Sequence, residues 1–283
     1  MKPTLKYSEM YITNVCNYSC THCQSFNNYA FKGHQRWDDY KDEYELLSKK
    51  LDIGIIQLMG GEPTLNPDFN KWLKGISNLW PTAKLQISTN GSTLNKLTQD
   101  VYDVLSKNNG TLWITCHDIK LYDGFLDFIN TFLDVIVSDT GEAPARRVSR
   151  IFIDKNGVEV ILDWSQTFRA SAMDLVNKQL TLGYDSDVDE AHDVCGFKTC
   201  HQLNKGKLYK CPLVSVLPDF LNQFNVAVAD KELAHAYQPM SHDDDVEKFV
   251  NNLVNPIPQC KFCPSNYNTG HDFIGTDKKI KLV

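Results

Sequence analysis

Cys16, Cys20 and Cys23, in the stretch CNYSCTHC, place three thiols within eight residues at the spacing CxxxCxxC. Three thiolates on a [4Fe–4S] cluster would leave one iron without a protein ligand, and an open iron can bind and activate a second molecule. Two other readings compete. Positions i, i+4 and i+7 would share one face of a helix, where a free cysteine packs as a small apolar residue. The residues between them are mediocre helix formers, and Asn14 and Asn17 suggest a loop. A structural zinc site wants four ligands, and only His22 is near enough to add one, crowded between Thr21 and Cys23.

A second group, Cys195, Cys200, Cys211, Cys260 and Cys263, lies far downstream. The CKFC pair at 260–263 has metal-ligand spacing. A hairpin turning at Gly206 would set Cys200 opposite Cys211. A four-thiolate zinc site and a second iron–sulfur cluster both fit this set. Cys116 falls on the apolar side of its strand and reads as a core cysteine.

Between the groups lies MGGEP (59–63). Gly60-Gly61 makes a tight strand-to-helix turn, but it also lets backbone approach a ligand closely, and the Glu62 carboxylate beside it can receive an ammonium.

The elements that must position these residues alternate. Strand signals at 7–13, 53–59, 84–88, 111–118 and 134–138 are separated by helical patterns at 38–50, 67–80, 93–109 and 122–132. That order predicts right-handed crossovers and a parallel sheet, α/β in class, curled into a barrel or part-barrel. Each strand has an apolar face and a face that turns polar near its C-terminal end. Gln57, Ser88, Asn90, Thr115 and His117 fall on the polar faces. From about residue 145 the rhythm changes to hairpins, at 148–164 with Asn156-Gly157 in the turn, and at 200–211. The expected organisation is a core over 1–145, or to about 165, and a hairpin-containing region over 146–283 whose cysteine-rich part begins near 190.

The two front motifs together resemble those of the radical SAM superfamily. The resemblance implies a partial (β/α)6 TIM-like barrel with a small C-terminal β-hairpin and cysteine-rich extension. It implies Cys16, Cys20 and Cys23 as ligands of a [4Fe–4S] cluster whose open iron chelates S-adenosylmethionine. His22 matches the residue that lies against the adenine, and Gly60, Gly61 and Glu62 match the segment that holds the methionine amino group. STNG resembles the ribose-contacting region, which makes Ser88, Asn90 and Thr115 candidates for the sugar hydroxyls. One electron would cleave the sulfonium to a 5′-deoxyadenosyl radical. His117 is a candidate substrate contact or proton handler, or a surface histidine.

The rear cysteines are similar to the SPASM extension, or better its half-length form, twitch, with one auxiliary [4Fe–4S] cluster. Five cysteines compete for four positions there: Cys195 fits the family spacing, and Cys200 fits the hairpin geometry. The implied reaction is dehydrogenation or epimerisation of a sugar or aminocyclitol-like metabolite. The relatives' peptide and sulfatase maturation is the alternative; the chain begins almost at the cluster strand, which leaves no room for a leader-binding domain and favours a small polar substrate. The implied partner is a one-electron donor such as flavodoxin or ferredoxin. A non-catalytic iron–sulfur carrier and a zinc-stabilised binding protein are the readings from another class. The GGEP segment separates them, because a carrier has no use for an amino-acid pocket.

Composition narrows the rest. A net charge of −6 argues against nucleic acid held through its phosphates. Neither a signal peptide nor a membrane span is visible, so the expected compartment is the cytoplasm, where thiols stay reduced. The lysines of the second hairpin, Lys205, Lys207 and Lys210, read as a solvated face.

Overall fold

The computed structural model describes residues 2–133, 135–139, 147–165, 167–169, 172–176, 179–266, 269–272 and 275–276. The front of the chain alternates strand and helix: β1 (Thr4–Tyr11), α1 (Trp37–Ser48), β2 (Asp52–Met59), α2 (Phe69–Leu79), β3 (Lys84–Thr89), α3 (Gln99–Lys107), β4 (Thr111–Cys116) and α4 (Tyr122–Phe132). β5 (Val135–Asp139), β6 (Arg147–Asp154) and β7 (Glu159–Ser165) follow. α5 (Val188–Asp193) precedes the hairpin of β8 (His201–Asn204) and β9 (Lys207–Tyr209), and α6 (Pro212–Gln223) succeeds it.

These nine strands form one sheet in the order β9-β8-β1-β2-β3-β4-β7-β6-β5. The six from β8 to β7 are parallel, and antiparallel hairpins close both flanks. This is the α/β architecture of a part-barrel. One strand departs from expectation. β5 is not the fifth parallel strand; it pairs antiparallel with β6, and β7 takes the place beside β4. Only residues 140–146 join β5 to β6, whereas a parallel crossover takes about a dozen residues or more.

Register lines up the two faces. Leu203, Met10, Leu58, Ile87, Leu112 and Val160 lie side by side across six strands, all fully buried in the main core. Trp72, Leu73 and Ile76 of α2 pack onto that layer, and Trp37 meets Trp72 edge to face at 5.0 Å. On the opposite face, Gln202, Glu9, Gln57, Gln86, Thr111 and Glu159 form an equally continuous polar row.

Both hairpin turns follow their sequence signals. Asp154 Oδ1 accepts the N–H groups of Asn156 and Val158 around Gly157, whose φ is +80°. Lys205 and Gly206 both have positive φ, as a two-residue turn of the mirror-image type needs. A second core of Phe26, Tyr29, Phe31, Phe220 and Phe262 packs the stretch after Cys23 against α6 and the CKFC pair. Among the described residues, no helix is long and apolar enough to cross a membrane.

Candidate metal centres

Beyond β1 the chain opens a loop whose base is closed by Thr13 bridging to His34 and by Asn14 N–H donating to the Gly33 carbonyl at 2.8 Å. Cys16, Cys20 and Cys23 are half-buried within it. Ser19–Cys20 is a short strand paired with Gly275–Thr276, and His22 and Phe26 take left-handed backbone angles. The three thiols are therefore carried by a loop at the C-terminal end of a strand, not by one helix face. Cys16 Sγ accepts from the Tyr18 N–H at 3.4 Å and from Asn90 Nδ2 at 3.7 Å. Donors aimed at sulfur favour a thiolate over a thiol, as cluster ligation requires.

The loop after β2 lies directly on the stem of this cysteine loop. Gly61 N–H donates to the Thr13 carbonyl, and Glu62 N–H to that of Val15, each at 2.8 Å. A Cβ on Gly60 would stand 2.5 Å from the Thr13 oxygen, and one on Gly61 2.3 Å from the Val15 oxygen. The glycines thus permit an approach between two segments of the chain itself.

The Glu62 side chain is fully buried and turned inward. Oε1 accepts from the N–H and hydroxyl of Thr64 and from the Thr89 hydroxyl, and Oε2 accepts from Asn90 N–H at 2.7 Å. Three of the four donors converge on Oε1 and one on Oε2, so Oε2 keeps acceptor capacity. Burial pushes its carboxyl up, and the same donors oppose the rise. Asn90, a candidate for sugar hydroxyls, is likewise engaged: Nδ2 meets Asn17 Oδ1 at 3.0 Å as well as Cys16, and Oδ1 accepts from Ser92 N–H.

Ser88, Thr115 and His117 share the polar face of the sheet, where Ser88 pairs with Trp113 and Thr115 with Asp163. Tyr18 of the cysteine loop packs edge to face on His117 with ring centroids 6.3 Å apart. Burial holds His117 near 4, with Asp163 opposing, so the ring is neutral at physiological pH. Sequence reasoning missed Glu9, Trp113 and Asp163 on this face; Trp113 Nε1 donates to Asp163 Oδ2 at 3.4 Å. The alternation of β1 and β7 carries the signal, but β7 reads from sequence as half of a hairpin, without a place in the sheet.

At the rear, Cys195, Cys211, Cys260 and Cys263 line one small cavity, together with His192, Lys198 and Lys210. Cys195 follows α5, Cys211 caps the start of α6, Cys260 lies within the short helical turn Pro258–Phe262 and Cys263 caps its end. Cys200 is not among the residues that line this cavity. Burial pushes Cys211 up to about 12, and the neighbouring Cys195 and Cys260 add to the rise. His192 Nε2 is buried without a hydrogen-bond partner. An orphaned ring nitrogen at a wall of thiols suits an occupant that brings acceptor sulfurs. Among the described residues, no three His, Cys, Asp or Glu side chains converge closely enough for a single metal ion. Cys116 is buried in the main core, its thiol donating to the Asp118 carbonyl at 3.0 Å.

Residues 10–118 match the Radical SAM superfamily. The chain is similar to GTP 3′,8-cyclases: 29% identical over 101 residues to that of Nautilia profundicola, covering 35% of this chain and 32% of the relative. It is 23% identical over 143 residues to that of Aliarcobacter butzleri, covering 50% and 38%. The chain thus spans about a third of the length of the curated relatives it matches. Among solved structures it is similar to Streptococcus suis SuiB bound to S-adenosylmethionine (20% identity, 44% of this chain, 27% of the other, TM-score 0.33). It is also similar to BtrN in complex with AdoMet and 2-DOIA (24% identity, 44% and 52%, TM-score 0.34).

Proposed function

We propose that this chain, whose residues 10–118 match the Radical SAM superfamily, is a radical SAM enzyme that abstracts hydrogen from a small polar metabolite of the sugar or aminocyclitol kind. The observation that carries the substrate class is the polar row on the inner face of the sheet. Gln202, Glu9, Gln86 and Thr111 are buried there, and a hydroxyl- or amine-rich molecule is the chemistry they would recognise. When bound at Cys16, Cys20 and Cys23, a [4Fe–4S] cluster with S-adenosylmethionine supplies a 5′-deoxyadenosyl radical after one-electron reduction by a donor such as flavodoxin or ferredoxin.

The chain's own residues do the rest. Asn90 and the Tyr18 N–H stabilise the Cys16 sulfur. The Gly60-Gly61 backbone, held against the cysteine loop, presents the segment that would face the methionine amino group, and Glu62 braces it from behind. His22, Ser88 and Thr115 remain candidates for adenine and ribose contact. Neutral His117 is the candidate to contact a substrate hydroxyl. The cavity of Cys195, Cys211, Cys260 and Cys263 is the proposed seat of an auxiliary [4Fe–4S] cluster with four protein ligands, which suits it to accept an electron from the substrate radical. A single zinc ion holds sulfur at about 2.3 Å and would draw its ligands together; four thiols set around a cavity favour a cluster.

The test is anaerobic reconstitution followed by dithionite and S-adenosylmethionine. Formation of 5′-deoxyadenosine, with iron falling by about half on removal of either cysteine set, supports the reading. A colourless zinc protein that leaves S-adenosylmethionine intact ends it.

A further inference from the structure

Lys210 forms part of the wall of the four-cysteine cavity and is only 4% exposed. The expected solvated face of the second hairpin does not include it. Three bonds fix the residue. Its ammonium donates to the Leu253 carbonyl, its backbone N–H donates to the Tyr237 hydroxyl at 2.9 Å, and its carbonyl accepts from His201 Nδ1 at 2.8 Å.

Among the described residues, no carboxylate pairs with this ammonium. Its sulfur neighbours on the cavity wall are Cys195, Cys211, Cys260 and Cys263. Neighbouring lysines differ: Lys198 on the same wall lies 3.8 Å from Asp193, Lys261 lies 2.8 Å from Asp185, and Lys205 pairs with Asp219. A buried charge without a counter-ion costs several kcal/mol, so buried ammonium groups are ordinarily paired. The pairing here is left to whatever the thiols hold. An iron–sulfur cubane on four thiolates carries net negative charge, and the charge grows by one unit on reduction.

We propose that Lys210 is the internal counter-ion of an iron–sulfur centre held by Cys195, Cys211, Cys260 and Cys263, and that its fixed positive charge raises that centre's reduction potential. This rests on the auxiliary-cluster reading above. A cation beside the centre stabilises the reduced state more than the oxidised one, because attraction scales with the charge it faces. In the proposed reaction the substrate radical gives up one electron and one proton to become the oxidised product. A raised potential at the receiving site makes that direction favourable. Lys210 is a positioning residue here: it touches neither substrate nor S-adenosylmethionine.

The test uses full-length protein in which Cys16, Cys20 and Cys23 are changed to alanine, so that only the rear centre reports. Iron content and an EPR-monitored redox titration are compared for that background, Lys210→Met and Lys210→Arg. In Lys210→Met the ratio of reduced to oxidised centre at fixed potential should fall about tenfold, a downward shift of about 59 mV for a one-electron couple. Lys210→Arg, which keeps the charge, should titrate with the background. Loss of the centre in Lys210→Met but not in Lys210→Arg would equally support a need for charge. A Met variant that titrates with the background, or loss of the centre in both variants, overturns the proposal in favour of a packing role. Absence of any rear iron signal in the background itself would instead sink the auxiliary-cluster reading.

Discussion

The carboxylate of Glu62 accepts the backbone N–H of Asn90 at 2.7 Å, and through this bond the loop after β2 is tied to the loop after β3. Asn90 in turn reaches Cys16, so one buried anion holds three loops in register. Glu62→Gln keeps the shape but turns an NH2 toward a cluster of donors. Hydrogen bonds to a charged group are worth about 1.5–3 kcal/mol each, so the variant should lose at least about 2 kcal/mol. Urea unfolding measures the loss, and equilibrium dialysis should show weaker S-adenosylmethionine binding. A variant that unfolds with the wild type would show that the carboxylate braces nothing.

Burial raises the Glu9 carboxyl to about 7, although bonds from Gln202 and Tyr7 oppose the rise. The sign follows from linkage: a raised carboxyl stabilises the fold fully below the unfolded value near 4.5, and that stability is lost as pH rises through about 7. Glu9→Gln removes the titration. Its stability relative to the wild type should therefore improve between about pH 4.5 and pH 8, by up to about 3 kcal/mol. Thermal melts across that range give the answer, and a constant difference at every pH would contradict it.

Gly61→Ala puts a methyl group 2.3 Å from the Val15 carbonyl oxygen and 2.9 Å from Cys16 Cβ. Both are fixed parts of the cysteine stem, so the stem must shift. The expected result is loss of the front cluster and of 5′-deoxyadenosine formation, with about half the iron retained at the rear. Iron analysis alongside EPR distinguishes this from global unfolding. Full iron in Gly61→Ala would mean that the stem tolerates displacement.

Cys195 and Cys200 are five positions apart and are expected to behave oppositely. Cys195→Ser removes a wall of the cavity and should lower rear iron occupancy severalfold. Cys200→Ser leaves that wall intact and should reconstitute as the wild type does. The reverse ranking of iron content would assign the fourth thiol to Cys200.

Strands β1 to β4 were legible in the sequence because each joins an apolar row to a polar one at period two. The turns at Asn156-Gly157 and Lys205-Gly206 were legible because few residues other than glycine accept positive φ there. What stayed hidden depends on contacts between distant segments. Nothing local in His201–Asn204 marks β1 as its partner, yet Ser8 donates its hydroxyl to the His201 carbonyl across 193 positions. Among the rear cysteines, Cys195, just beyond α5, lines the cavity and Cys200, just before β8, does not. Glu62 escaped in another way. Its type and place were evident, but its four donors come from two loops that only the folded chain brings together.

Because β8 zips along the outer margin of β1, the first strand of the molecule has no free side of its own. A fragment ending near residue 165 would strip that margin and leave a row of bare amides beside the stem of the front thiols, an invitation to self-association. The two cysteine neighbourhoods are therefore pieces of one frame, and excising the front would remove the wall it is built against.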